Sequence, residues 1–98
     1  MIYVLICKDK PGQLDLRTST RPTHVEYLKS LDAQGKLKFA GPFVGDDGTM
    51  IGSLVAIEAE DRAEAEKLAA GDPYAKVGLF ASTEIIAWNW TLKAPEAR

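Results

Sequence analysis

The chain has a single histidine, His24, in the run Arg21-Pro22-Thr23-His24-Val25-Glu26-Tyr27-Leu28-Lys29-Ser30-Leu31. An imidazole changes charge near neutral pH and both takes and gives protons, so it is the side chain best suited to general acid–base catalysis. It works better when a carboxylate holds one ring nitrogen and leaves the other free. Asp72, in Asp72-Pro73-Tyr74, is the best partner the sequence offers. Each residue also has a plainer reading. A lone histidine at a helix start is commonly a packing residue, and an aspartate between a glycine and a proline commonly caps a turn.

Other chemistries lack their residues. One histidine and one cysteine, far apart, give no metal-ligand spacing. Gly45-Asp46-Asp47-Gly48 pairs two carboxylates but lacks the ligand run of an EF-hand loop, and reads as a hairpin turn. No glycine-rich phosphate loop occurs, and no serine sits in a nucleophile-elbow context. Cys7 lies in an apolar run and reads as a small buried hydrophobe; alone, it excludes an internal disulfide. No metal and no cofactor is expected.

The elements that must hold His24 and Asp72 follow from periodicity. His24, Leu28 and Leu31 stand at i, i+4 and i+7, which predicts a helix from near Thr20 to about Gln34. Thr20 is the expected cap, Pro22 falls in the first turn, and Gly35 follows the end. His24 would then lie at the helix start, at the rim of the core, where the helix dipole favours the uncharged ring. Ile2 to Cys7 reads as a buried strand and Lys8 to Thr20 as a loop carrying Pro11-Gly12. Lys36 to Val44 alternates, with Leu37, Phe39, Gly41 and Phe43 on one side, and pairs as a hairpin with Met50 to Ala59. Asp61-Arg62-Ala63-Glu64 fits a capping box opening a second helix, which Gly71 stops. A last strand runs from Val77 to about Thr91. The domain is expected over residues 1–92, with a polar tail over 93–98 that frays or reaches onto a neighbour.

The order β-α-β-β-α-β predicts an α+β, ferredoxin-like fold: a four-stranded antiparallel sheet with two helices on one face. Both helices are expected to follow strands of the same direction and so to run roughly parallel. Asp72 therefore meets His24 only if the turn after Gly71 carries it back. The sheet itself poses a second question. Ile2, Val4 and Ile6 oppose Tyr3, Leu5 and Cys7, so both faces of the first strand are apolar, as are both faces around Leu54 to Ile57. A sheet with one wet face alternates more cleanly. The second face is expected to pack on the same face of another copy, giving a homodimer with stacked sheets.

Composition narrows the partners. The chain has 98 residues, 46% of them apolar and 27% charged, and a net charge of −2. One domain is expected, with no basic face for nucleic acid. No signal peptide and no membrane span is apparent, so the cytoplasm is the default compartment.

Arg21-x-x-His24, then Gly41-Pro42, then Asp72-Pro73-Tyr74, in this element order, resembles the YCII-related (YciI-like) family over nearly the whole chain, from Ile2 to about Trp88. The resemblance implies a ferredoxin-like fold, dimers of the α/β-barrel type, and a histidine–aspartate dyad made here by His24 and Asp72. One branch resembles a dehydrochlorinase that removes chloride from a chlorinated hydroxyhydroquinone without a cofactor. On that reading His24 is the acid–base and Asp72 fixes its tautomer. Arg21 binds an anionic or phenolate oxygen, Gly41 and Pro42 let the backbone approach a small-molecule substrate, and Tyr74 lines the pocket. Two other readings stand beside this one: a non-catalytic small-ligand binder or accessory dimer module, and a purely structural dimer module.

Overall fold

The computed structural model of the chain describes residues 1–95; residues 96–98, the end of the expected tail, lie outside the described residues. The β-branched run at the start forms β1 (Ile2–Asp9), one of the two inner strands of the sheet. It pairs antiparallel with β3 (Met50–Glu58) on one side and β4 (Phe80–Trp88) on the other. The strand β2 (Leu37–Val44) closes the far edge, giving the order β2-β3-β1-β4. With α1 (Leu14–Ala33), α2 (Arg62–Ala70) and a single turn, α3 (Pro73–Lys76), this is the expected α+β, ferredoxin-like fold.

Period-2 geometry sends Tyr3, Leu5 and Cys7 to one face of β1, where they meet Val55 and Ile57 of β3. Leu31 of α1 and Ala65 of α2 close over them, with Tyr27, Leu28 and Leu68 at the margin. Each large aliphatic side chain buried in this layer contributes about 1.5–3 kcal/mol. Helix α2 is capped as its sequence implies: the Asp61 side chain accepts from the Glu64 N–H at 2.9 Å. The Glu64 carboxylate reaches back one residue further than the capping-box pattern, to the Glu60 N–H at 2.9 Å.

The first helix differs from expectation. It begins at Leu14, not near Thr20, and takes in most of the stretch expected as a loop. Thr20 is no cap; Gln13 holds the cap position without a side-chain bond, and Pro22 lies inside the helix. An interior proline removes one ladder hydrogen bond. Here Pro22 and Thr18, whose carbonyl loses that bond, are both exposed, so water is at hand to replace it.

A second difference lies in β2. A bulge between Leu37 and Phe39 breaks the alternation expected there. Leu37 packs on the helix-covered core, while Phe39 crosses to the other face and meets Trp88 and Trp90 edge-on, with ring centroids 5.7 and 5.0 Å away. Beyond the bulge Ala40 and Pro42 pair with Val55 and Ser53, which puts both on the helix side of the sheet. The face away from the helices carries Ile2, Val4, Ile6, Ile86 and Trp88, of which Ile86 and Trp88 are exposed. No helix among the described residues is long and apolar enough to cross a membrane.

Candidate active site

His24 sits midway along α1, away from either helix end, so the dipole argument made for a helix start does not apply to it. Its neighbour is Asp72 instead. The His24 Nδ1 lies 2.8 Å from Asp72 Oδ1 and 3.1 Å from Oδ2, with both residues buried at 8% and 7% exposure. A carboxylate only accepts, so in the neutral ring the shared hydrogen sits on Nδ1 and Nε2 keeps its lone pair.

Helix direction and length bring the pair together. The helices are antiparallel, not parallel as expected, because α1 follows β1 and α2 follows β3 and these two strands pair antiparallel. The start of α2 therefore lies near the end of α1, with Lys36 Nζ 3.8 Å from Glu64 Oε2, and the nine residues of α2 carry its end back beside the middle of the twenty-residue α1. Two contacts lock this level. The Tyr27 hydroxyl donates to the Leu68 carbonyl at 2.7 Å. Gly71 lies so close that a Cβ there would stand 2.6 Å from the Tyr27 hydroxyl, a distance only glycine allows. The chain then turns, and Asp72 caps α3 by accepting from the Tyr74 N–H at 2.9 Å. Both readings of Asp72 are realised in one side chain: it caps a turn and holds the imidazole. The same cap sets the Tyr74 ring flat on His24, with centroids 3.9 Å apart and planes 18° from parallel.

The histidine forms part of the wall of a cavity of about 220 Å³ between α1 and the β2–β3 side of the sheet. That is below the roughly 300–1,000 Å³ of pockets for drug-sized molecules and suits a compound of about one ring. Arg21, Gly41, Pro42 and Tyr74, the expected substrate-binding residues, all line it, and the bulge in β2 is what turns Pro42 toward it. Arg21, Gly41 and Pro42 are exposed and form its mouth.

Two further lining residues, Arg17 and Ser53, escaped the sequence reading. Arg17 is 2% exposed; its Nη2 donates to the Gly52 carbonyl and to Ser53 Oγ. Its Nε stands 3.1 Å from Asp9 Oδ2, an ion pair without the alignment of a hydrogen bond. Asp9 Oδ1 is likewise buried without a hydrogen-bond partner. Burial pushes the Asp9 carboxyl above its usual value, and the Arg17 charge opposes the push. The Tyr74 phenol is raised by burial too, while Arg17 and Arg21 draw it back down. A Cβ on Gly52 would stand 2.4 Å from the Cys7 carbonyl, so glycine is needed where this strand approaches β1. Arg17 was legible in principle: Arg17, Arg21 and His24 repeat the i, i+4, i+7 spacing that marked His24, Leu28 and Leu31.

Cys7 is buried and its thiol is pushed up to about 11 by desolvation, which fits the reading of a small hydrophobe. No cluster of three or more potential metal ligands occurs among the described residues.

Fold and site together define a ferredoxin-like domain with a buried histidine–carboxylate pair at the wall of a small open cavity. The chain belongs to the YCII-related family, whose domain matches residues 1–89. Protein YciI of Escherichia coli O6:H1 is 35% identical over 86 residues, covering 82% of this chain and 88% of that protein. The derivative of benzaldehyde biosynthesis cluster protein C of Emericella nidulans is 36% identical over 72 residues, 66% of this chain and 74% of that one. Among solved structures, 5-chloro-2-hydroxyhydroquinone dehydrochlorinase from Burkholderia phenoliruptrix, in complex with 2,5-dihydroxybenzoquinone, superposes with a TM-score of 0.82. It is 36% identical, and the match covers 91% of this chain and 94% of that one.

Proposed function

We propose that this protein is a cofactor-independent acid–base enzyme that eliminates a leaving group from, or isomerises, a small hydroxylated ring compound. The observation that carries the reading is the 2.8 Å contact of His24 Nδ1 with Asp72 beside a cavity of one-ring size. Likeness to a dehydrochlorinase of chlorinated hydroxyhydroquinone supports it.

The chemistry needs a proton carrier and no electron acceptor. His24 Nε2 takes the proton of a ring hydroxyl, and Asp72 stabilises the imidazolium that forms. The imidazolium returns that proton to the ring carbon bearing chlorine, giving the keto tautomer. Nε2 then takes the proton of a second hydroxyl as chloride departs with the C–Cl electron pair. The net change is loss of one HCl and formation of a quinone, with atoms and electrons in balance. Where no leaving group is present, the first two steps alone are an isomerisation. Arg21 at the mouth offsets the charge of the developing oxyanion. The backbone of Gly41-Pro42 borders the ring, and Tyr74 forms the floor beside His24.

The test is incubation with 5-chloro-2-hydroxyhydroquinone and related chlorinated hydroxylated rings, with released chloride measured against time. Release above the uncatalysed rate, lost in His24→Ala while circular dichroism is unchanged, is expected. Ligand-dependent stabilisation with no product on long incubation would instead mark a binding module.

We propose also that the apolar sheet face of Val4, Ile6, Ile86 and Trp88 packs on the same face of a second copy, which removes their exposed surface from water. Light scattering coupled to size exclusion should give twice the chain mass, and Ile86→Lys should return it to the monomer. A monomer at micromolar concentration defeats the idea.

A further inference from the structure

The cavity beside His24 holds about one ring, but a second space adjoins it. A hollow of about 360 Å³ lies at the end of the sheet, between the turn from β1 into α1 and the β2–β3 hairpin. Pro11, Gly12 and Leu14 line it from the turn, and Thr49, Met50 and Ile51 line it from the hairpin. Met50, alone among the described residues, lines both the cavity and the hollow. The buried ion pair completes the partition: Arg17 lines the cavity, and Asp9, whose Oδ2 is 3.1 Å from Arg17 Nε, lines the hollow.

The two parts of this partition differ in stiffness. Arg17 is fixed by the Gly52 carbonyl, Ser53 Oγ and Asp9. Met50 is half-buried, and its unbranched thioether turns about three single bonds and re-packs at little cost. Beyond Met50 the hollow presents apolar surface to water: Leu14 is 43% and Ile51 50% exposed, and neither belongs to the core cluster. Leu14 continues along α1 the stripe of Arg17, Arg21 and His24, and lies about 15 Å from His24 along the helix axis. A ring seated against His24 therefore reaches Leu14 only through a substituent. Joined, the two spaces come within the roughly 300–1,000 Å³ of pockets for drug-sized molecules.

We propose that the hollow is a substituent subsite: the ring compound carries an alkyl chain that runs past Met50 and lies between Leu14 and Ile51. This deepens the proposed reading of the site and rests on it for the place of the ring, but the subsite is tested by binding alone. The substrate class narrows to a small hydroxylated ring with an apolar substituent on the side turned away from the imidazole. Met50 is the gate and sets which substituents pass. Leu14 and Ile51 supply the apolar surface that the alkyl chain removes from water.

Equilibrium dialysis tests this with resorcinol and its ethyl, butyl and hexyl derivatives, alkylated on one ring carbon. Affinity is expected to rise by up to about fourfold for each methylene buried, and to level off once the hollow is filled. The butyl compound should bind at least about tenfold more tightly than resorcinol. Excess resorcinol should displace it competitively, since both place the ring beside His24. Leu14→Gln and Ile51→Gln change exposed positions, and each should lower the butyl-to-resorcinol affinity ratio several-fold, with the double variant near unity. Met50→Trp, which fills the passage, should lower the same ratio; if that variant does not fold, the Leu14 and Ile51 variants carry the test. Equal affinities across the series would overturn the subsite. So would a native-like ratio in the double variant, or butyl binding that resorcinol does not displace, because either result places the alkyl chain on another surface. Absence of chloride release alongside an intact ratio would count against the proposed reaction and leave the subsite standing. Chloride release with a ratio of unity would remove the subsite alone.

Discussion

Replacing Asp72 by Asn separates the two roles of one side chain. The Asp72 carboxylate accepts from His24 Nδ1 at 2.8 Å and from the Tyr74 N–H at 2.9 Å, and is 7% exposed. An asparagine keeps an oxygen for the Tyr74 N–H and so preserves the cap of α3. It loses the charge-assisted bond to the imidazole, a class worth about 1.5–3 kcal/mol of stability. Asp72→Ala loses the cap as well and should cost about 1 kcal/mol more. The effect on turnover is larger. An amide does not stabilise the imidazolium and admits the wrong tautomer, which in comparable constellations lowers the catalytic rate by up to about 10⁴-fold. Chloride release should therefore fall about 10²–10⁴-fold in Asp72→Asn with KM little changed. Urea denaturation should place the Asn variant between the native protein and Asp72→Ala. Turnover in Asp72→Asn within about threefold of native would refute the orienting role, whatever the stability.

Three other outcomes follow from the packing around the pair. Gly71→Ala puts a Cβ 2.6 Å from the Tyr27 hydroxyl and should destabilise by about 1–3 kcal/mol. Tyr27→Phe in the same chain should recover part of that loss, and simple additivity of the two changes in a denaturation cycle would contradict the contact. The Cys7 thiol, pushed up to about 11, should be alkylated by iodoacetamide at pH 8.5 far more slowly in the folded than in the urea-unfolded protein; equal rates would contradict its burial. Asp9 should titrate above 3.8, the ordinary value for its carboxyl. The folded state then holds that proton more tightly than the unfolded one, so this group's contribution to stability is greatest in acid and declines as pH rises from 3.8 through the folded value. Carboxyl carbon NMR reads the midpoint directly, and one at or below 3.8 would contradict the desolvation.

The fold was legible because strand and helix periods are set by burial, and most buried positions here are apolar. The first strand, the hairpin turn and the Asp61 cap all announced themselves in this way. The start of α1 did not, for a physical reason. Its inward stripe carries Arg17, Arg21 and His24 where a core helix has leucines, so the apolar period fades before Val25. Pro22, a common first-turn residue, then looked like the beginning. The bulge after Leu37 was hidden for another reason: a run of alternating residues does not say where one extra residue is inserted. Of the site, His24, Asp72, Arg21, Gly41, Pro42 and Tyr74 stood in the sequence; the structure sets all but Asp72 on the wall of one cavity, with Asp72 held against His24. The placement of Asp72 against α1 was misread, because the strands before the two helices pair antiparallel and turn the end of α2 toward His24; the exact level then depends on the two helix lengths and on Gly71 seating against Tyr27.

The central claim is that the His24 imidazole itself moves the proton. The most direct measurement is chemical rescue: chloride release from 5-chloro-2-hydroxyhydroquinone by His24→Ala, with and without added imidazole. The site predicts near-complete loss in the variant and saturable recovery with imidazole, which can enter the vacated space against Tyr74. Native-like release by His24→Ala with no imidazole present would contradict it.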